Sequence, residues 1–135
     1  MIPVKTIMTQ DVISVKADMP IYETMELFIR HKISGIPVVN ADMKVVGILT
    51  EKDVLKLLMD RKFDVKATVG DYMKREVVCF TEEDSAISVC EFFIKNSLRR
   101  VPIVRDNKLV GIVSRRDIIE LILEMRSKIS DDRFS

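Results

Sequence analysis

Thr50-x-x-Asp53 and Ser114-x-x-Asp117 are the residues of this chain whose types and spacing best suit chemistry. Each follows a short β-branched run and opens a stretch with helical spacing. A carboxylate three residues after a hydroxyl at a helix start can close a capping box, each side chain bonding the other's backbone N–H. On a helix that starts at a cleft it can instead accept both hydroxyls of a ribose, as the acidic residue of dinucleotide folds does. The helix N-terminus then also favours phosphate. Gly47 and Gly111 precede the two motifs at the same distance. A glycine inside a strand marks the close approach of a ligand or of another backbone.

The elements that position these residues are written twice. Ile36-Pro37-Val38-Val39 and Val46-Gly47-Ile48-Leu49 return as Val101-Pro102-Ile103-Val104 and Val110-Gly111-Ile112-Val113. Pro37 and Pro102 lie 65 apart, while Asp53 and Asp117 lie 64 apart, so one loop residue differs. Upstream, Met8 matches Met73, Val12 matches Val77 and Phe28 matches Phe93. The first copy predicts a strand at Val12–Val15, a cap at Asp18, and a helix from Ile21 carrying Met25, Phe28, Ile29 and Ile33 at helical spacing. It continues with a strand at Ile36–Val39, a turn, a strand at Val45–Leu49 and a helix at Asp53–Met59. The second predicts strand Val77–Phe80, cap Asp84, helix Ala86–Lys95, strands Val101–Val104 and Leu109–Val113, and helix Asp117–Lys128. Residues 60–68 read as a linker, with Phe63 and Val65 its strongly apolar members, and Ser130–Ser135 as a fraying tail. The expected fold class is α+β: two β-α-β-β-α repeats, residues 1–66 and 67–135, packed sheet to sheet around one core with pseudo-two-fold symmetry.

Bulk numbers narrow the function. Of 135 residues, 47% are hydrophobic and 32% charged, with a net charge of +1. That balance supplies no field to draw in DNA or an anionic membrane. Nucleic-acid binding would rest on a few arginines with little aromatic support, and is not expected. No apolar run reaches the roughly 18–20 residues of a membrane span, and the N-terminus lacks the pattern of a signal peptide. Cys79 and Cys90 lack metal-ligand spacing and read as buried thiols. These features point to a cytoplasmic protein with no metal site. His31, the one histidine, reads as a surface side chain, and the eight methionines as core filler. P-loop, GxGxxG, HExxH and GxSxG motifs are absent, so no enzyme is expected.

The Ile/Val-Pro-Val/Ile-Val strand and the Val-Gly-Ile-Leu/Val-Thr/Ser-x-x-Asp run, both present twice in register, resemble the cystathionine β-synthase (CBS) domain. The chain looks like a stand-alone tandem pair, a Bateman module, from about Val4 to Met125. The resemblance implies a regulatory sensor that needs no cofactor and binds AMP, ADP, ATP or S-adenosylmethionine in two clefts between the repeats. Asp117 with Ser114, and Asp53 with Thr50, would hold ribose hydroxyls. Adenine would lie against Thr6, Ile13, Ile33 and Ser34 in the Asp117 cleft, and against Val78 and Leu98 in the Asp53 cleft. The family's pairs dimerise through their helices, which implies a homodimer acting on an effector protein in trans.

The clefts are not expected to be equal. Arg99, Arg100, Arg115 and Arg116 surround the second motif, where the first has Ser34, Gly35, Glu51 and Lys52. Guanidinium groups suit phosphate and Glu51 repels it, so phosphorylated nucleotide is expected at Asp117. The alternative is a ligand-free interaction module that docks on an enzyme or transporter. It would have side chains filling the clefts and both aspartates turned onto their own helix caps.

Overall fold

A computed structural model describes residues 1–60 and 64–134. The chain runs through a 3-10 turn at Val4–Thr6, then α1 (Ile21–His31), β1 (Gly35–Val39), β2 (Val45–Thr50), α2 (Glu51–Asp60) and α3 (Val69–Tyr72). There follow β3 (Phe80–Thr81), α4 (Ala86–Lys95), β4 (Arg100–Arg105), β5 (Lys108–Ser114) and α5 (Arg115–Phe134). Of the expected linker, residues 61–63, including Phe63, lie outside the described residues, as does Ser135 of the expected tail. The rest of the linker leads into α3, and α5 continues through Ser130 to Phe134.

Each hairpin is antiparallel and carries a bulge at the same place, between Val38 and Val39 and between Ile103 and Val104. The one-residue offset lies in the turns. Asp106 and Asn107, with φ of 51° and 67°, form a two-residue turn of the kind Asp and Asn tolerate. The first turn is longer, and there the Asn40 side-chain oxygen accepts from the N–H groups of Asp42 and Lys44.

The first strand of each repeat is shorter than expected. Val15 makes a single parallel bridge to Val38, and Phe80–Thr81 pairs parallel with Ile103 and Val104. The outer edge of each sheet is completed by the other repeat's leader: Lys74 bridges Ile48, and Thr9 bridges Ile112. Lys44 and Lys108, equivalent residues 64 apart, bridge antiparallel where the hairpins meet. An antiparallel bridge between equivalent residues is a local two-fold.

The interior forms two clusters rather than the single core expected. One contains Val15, Ile21, Phe28, Ile36, Val38 and Leu49, closed by Ala67 and Val69. The other contains Val89, Phe93, Val101, Ile103, Val113 and Ile118, closed by Val4. Val4 and Val69 are equivalent, so each repeat lends its leader to the other's core. The Val4 and Lys5 N–H groups donate to the carbonyls of Asp84 and Glu82, and the Ala86 N–H donates to Ile2. The sequence boundary at 66/67 therefore does not divide the two cores.

The expected helix caps shift by a residue or two. Pro20, not Asp18, precedes α1, and no side chain caps it. Ser85 caps α4 by accepting from the Ile87 N–H, while Asp84 accepts from the Thr81 N–H. α1 stops at His31 because Lys32 turns left-handed (φ 53°), which carries Ile33 off the helix.

Candidate functional site

Both glycines are explained by the other repeat's leader, side chain and backbone together, rather than by a ligand. A Cβ on Gly47 would sit 2.7 Å from Met73 Sδ and 2.8 Å from the Lys74 carbonyl oxygen. One on Gly111 would sit 2.5 Å from Met8 Sδ and 3.1 Å from the Thr9 oxygen. The crossing leaders press onto the strands at these two points, and only glycine leaves them room.

Ser114 and Asp117 form a full capping box at the start of α5. The Ser114 N–H donates to Asp117 Oδ2 at 2.7 Å, the Asp117 N–H donates to Ser114 Oγ at 3.2 Å, and the Ser114 hydroxyl donates to Oδ2 at 3.0 Å. At α2, the Thr50 N–H and hydroxyl donate to Asp53 Oδ2 at 2.9 and 2.8 Å. The two aspartates then part company. Asp53 is 1% exposed and its Oδ1 lies 4.0 Å from Lys56 Nζ. Asp117 is half-buried and lines a cavity of about 230 Å³ between the repeats.

That cavity brings Asp117, Ser114 and Arg100 of the second repeat against Ile13 and Ile33 of the first. Burial lowers the Arg100 guanidinium from its usual range, Asp117 draws it back up, and Arg116 lowers it further. The equivalent cavity of about 330 Å³ at α2 is lined by Thr50, Ser34, Leu98 and Arg99. Ser34, expected on the Asp117 side, thus faces the other cleft. Asp53, Thr6, Val78 and Arg116 line neither cavity. The Thr6 hydroxyl donates to the Pro3 carbonyl, Val78 is about half exposed, and Arg116 points outward beside Arg100.

The expected concentration of positive charge at Asp117 does not occur. Arg99 lies just before β4 and Arg100 opens it, and the two line different clefts. Arg115 also lines the Thr50 cavity, its Nη2 donating to the carbonyls of Phe93 and Asn96, with its guanidinium 5.9 Å over the Phe93 ring.

Several lining residues escaped the sequence reading. Lys74 and Ser97 line the Thr50 cavity, and Thr9, Asp11 and His31 the Asp117 cavity. The repeat held a signal for some of them, because Thr9 and Lys74 are equivalent positions beside the conspicuous Met8 and Met73. The motif itself discriminates less than its spacing suggests. Thr68 and Asp71 close the same box at α3, and the Thr81 N–H donates to Asp84 Oδ2, yet neither pair lines either cavity. Among the described residues no cluster of three His, Cys, Asp or Glu side chains can hold a metal, and no helix is long and apolar enough to cross a membrane.

Comparison with known proteins places this geometry. The chain is 34% identical over 120 residues to an uncharacterized protein of Methanocaldococcus jannaschii, covering 89% of this chain and 42% of that one. It is 37% identical over 115 residues to the inosine-5'-monophosphate dehydrogenase of the same organism, covering 84% of this chain and 22% of the enzyme. The chain thus spans well under half of these two relatives. Among solved structures, the CBS domain pair of protein MJ0100, in complex with 5'-methylthioadenosine and S-adenosyl-L-methionine, superposes with a TM-score of 0.79 at 31% identity, covering 91% of this chain and 97% of that one. CBSX2 in complex with AMP reaches 0.84 at 24% identity, covering 93% and 99%, a likeness of fold. The CBS domain model matches residues 4–60 and 69–124, the two repeats in turn, so the chain belongs to the CBS domain family as a tandem pair.

Proposed function

We propose that the pair is a regulatory module that binds an adenosine-containing ligand between its repeats. The observation that carries this reading is the Asp117 cavity, where a carboxylate and a hydroxyl of one repeat face apolar side chains of the other. Both bonds from Ser114 fall on Asp117 Oδ2, so Oδ1 is the atom to accept ribose hydroxyls. Ile13 and Ile33 supply apolar surface for the purine. A ligand held from both sides shifts the relative placement of the repeats only if it binds one placement more tightly. The complexes of MJ0100 and CBSX2 support the ligand class.

The output passes to a partner protein in the cytoplasm, and the pair acts as a homodimer through its helices. Ile119, Ile122 and Leu123 on α5, with Ile87 and Ile94 on α4, are exposed apolar side chains that such a contact would cover.

Thermal shift with AMP, ATP, S-adenosylmethionine and 5'-methylthioadenosine tests the reading. A ligand at ~100 times its Kd that binds only the folded state adds roughly 2.7 kcal/mol. The expected result is a shift with at least one compound that Asp117→Ala removes. No shift from any of them overturns the reading. The second reading, a ligand-free interaction module, is favoured by one observation: both aspartates are already turned onto their caps.

A further inference from the structure

The two cavities occupy equivalent places yet carry opposite charge. Lys52, Lys74, Arg99 and Arg115 line the Thr50 cavity against one carboxylate, Glu51. Arg100 alone faces Asp11 and Asp117 in the other, with His31 at its edge. The cations of the Thr50 cavity come from separate parts of the chain: Lys52 from α2, Lys74 from the crossing leader, Arg99 from the approach to β4, and Arg115 from α5. Among the described residues, no side-chain hydrogen bond or salt bridge engages Lys52, Lys74 or Arg99. Arg115 is fixed in the wall by the Phe93 and Asn96 carbonyls. Like charges brought to one concave surface repel until an anion neutralises them, and clefts focus that field. Asp53, the ribose-binding candidate on this side, is sealed behind its cap and its Lys56 contact.

From this division we infer that the Thr50 cavity is the phosphate site and selects a ligand carrying one or more phosphoryl groups, while the Asp117 cavity takes the phosphate-free adenosyl class. The assignment rests on the adenosyl reading above. It gives the pair two different ligands, one held chiefly by its anionic end and one by its ribose, so that binding can report their ratio.

Isothermal titration with ATP, adenosine and inorganic tripolyphosphate separates the two ideas. The proteins are the wild type, the double variant Lys74→Ala/Arg99→Ala, and Arg100→Ala. All three substitutions remove exposed or half-buried side chains, and a thermal midpoint checks that the fold is kept. The expected result is that the double variant binds ATP and tripolyphosphate about ten-fold more weakly or worse, from lost charge-assisted bonds, with adenosine unaffected. Arg100→Ala leaves tripolyphosphate affinity unchanged. The assignment falls if the double variant binds both phosphates like the wild type, if Arg100→Ala is the one that loses them, or if neither phosphate binds at all. Adenosine binding without phosphate binding leaves the adenosyl reading standing and removes this one. Tripolyphosphate binding that the double variant loses, with no adenosine or purine-dependent gain, keeps the phosphate site and removes the adenosyl reading.

Discussion

Asp53 and Asp117 share a sequence motif, a helix position and a bonding pattern, and differ in what lies in front of them. Removing either carboxylate strips a cap, which costs about 1–2 kcal/mol. Asp53→Ala is expected at the upper end, because its buried site also leaves the Thr50 donors without a partner, and Asp117→Ala at the lower end; urea denaturation midpoints decide. The glycines give a sharper pair. Gly111→Ala collides first with a flexible methionine sulfur, whereas Gly47→Ala also drives a Cβ to 2.8 Å from the Lys74 carbonyl oxygen. Both substitutions are expected to destabilise by about 1–3 kcal/mol. Adding Met8→Ala restores most of the Gly111→Ala loss, while Met73→Ala restores less of the Gly47→Ala loss, as thermal midpoints of the single and double variants show. The sequence identified these glycines as points of close approach. It could not say what approached, since Met73 and Lys74 lie 26 and 27 residues downstream of Gly47, whereas Met8 and Thr9 lie 103 and 102 residues upstream of Gly111.

At the scale of elements, the hairpins and helices were legible because their signals are local: β-branched runs, a two-residue Asp-Asn turn, apolar residues three and four apart. The exchange of leaders was not. Val4 and Val69 look alike in either arrangement, and only the packing of Val4 against the second cluster shows which core it serves. The Arg99–Arg100 split was not readable, since Arg99 lies outside the strand that Arg100 opens and alternation along a strand does not govern it. Val4→Ala and Val69→Ala are each expected to cost about 2–3 kcal/mol from lost burial and a residual cavity. By hydrogen exchange, Val4→Ala loosens the amides of β4 and β5, not those of β1 and β2. A polar clasp lies beside the first leader: Arg105 donates from Nε and Nη2 to Glu82, whose backbone carbonyl accepts from Lys5. Arg105 holds the Glu82 carboxyl below its ordinary value of 4.5. A lowered carboxylate contributes stability above its ordinary value and loses it as pH falls through the lowered one. An NMR titration should therefore show the half-buried Glu82 protonating below the ordinary carboxylate range, and Arg105→Ala should return it to that range.

The whole molecule exposes apolar side chains along its helices, with Ile119, Ile122 and Leu123 on α5 and Leu55, Leu58 and Met59 on α2. If the dimer forms through these faces, Ile122→Glu weakens self-association about ten-fold or more by sedimentation equilibrium, since a charge desolvated in an apolar contact is costly. The melting of a dilute monomer should be little altered, because the side chain is already exposed. The exchanged leaders also bear on how the chain is made. Val4 is synthesised 114 residues ahead of Ile118, the last buried member of its cluster. At about 5–20 residues per second that is a wait of roughly 6–23 s. The first cluster has to wait as well, for Val69. During that interval the first leader has no partner, so the second core cannot close until Ile118 has emerged, whereas every buried member of the first core is present once Val69 has emerged.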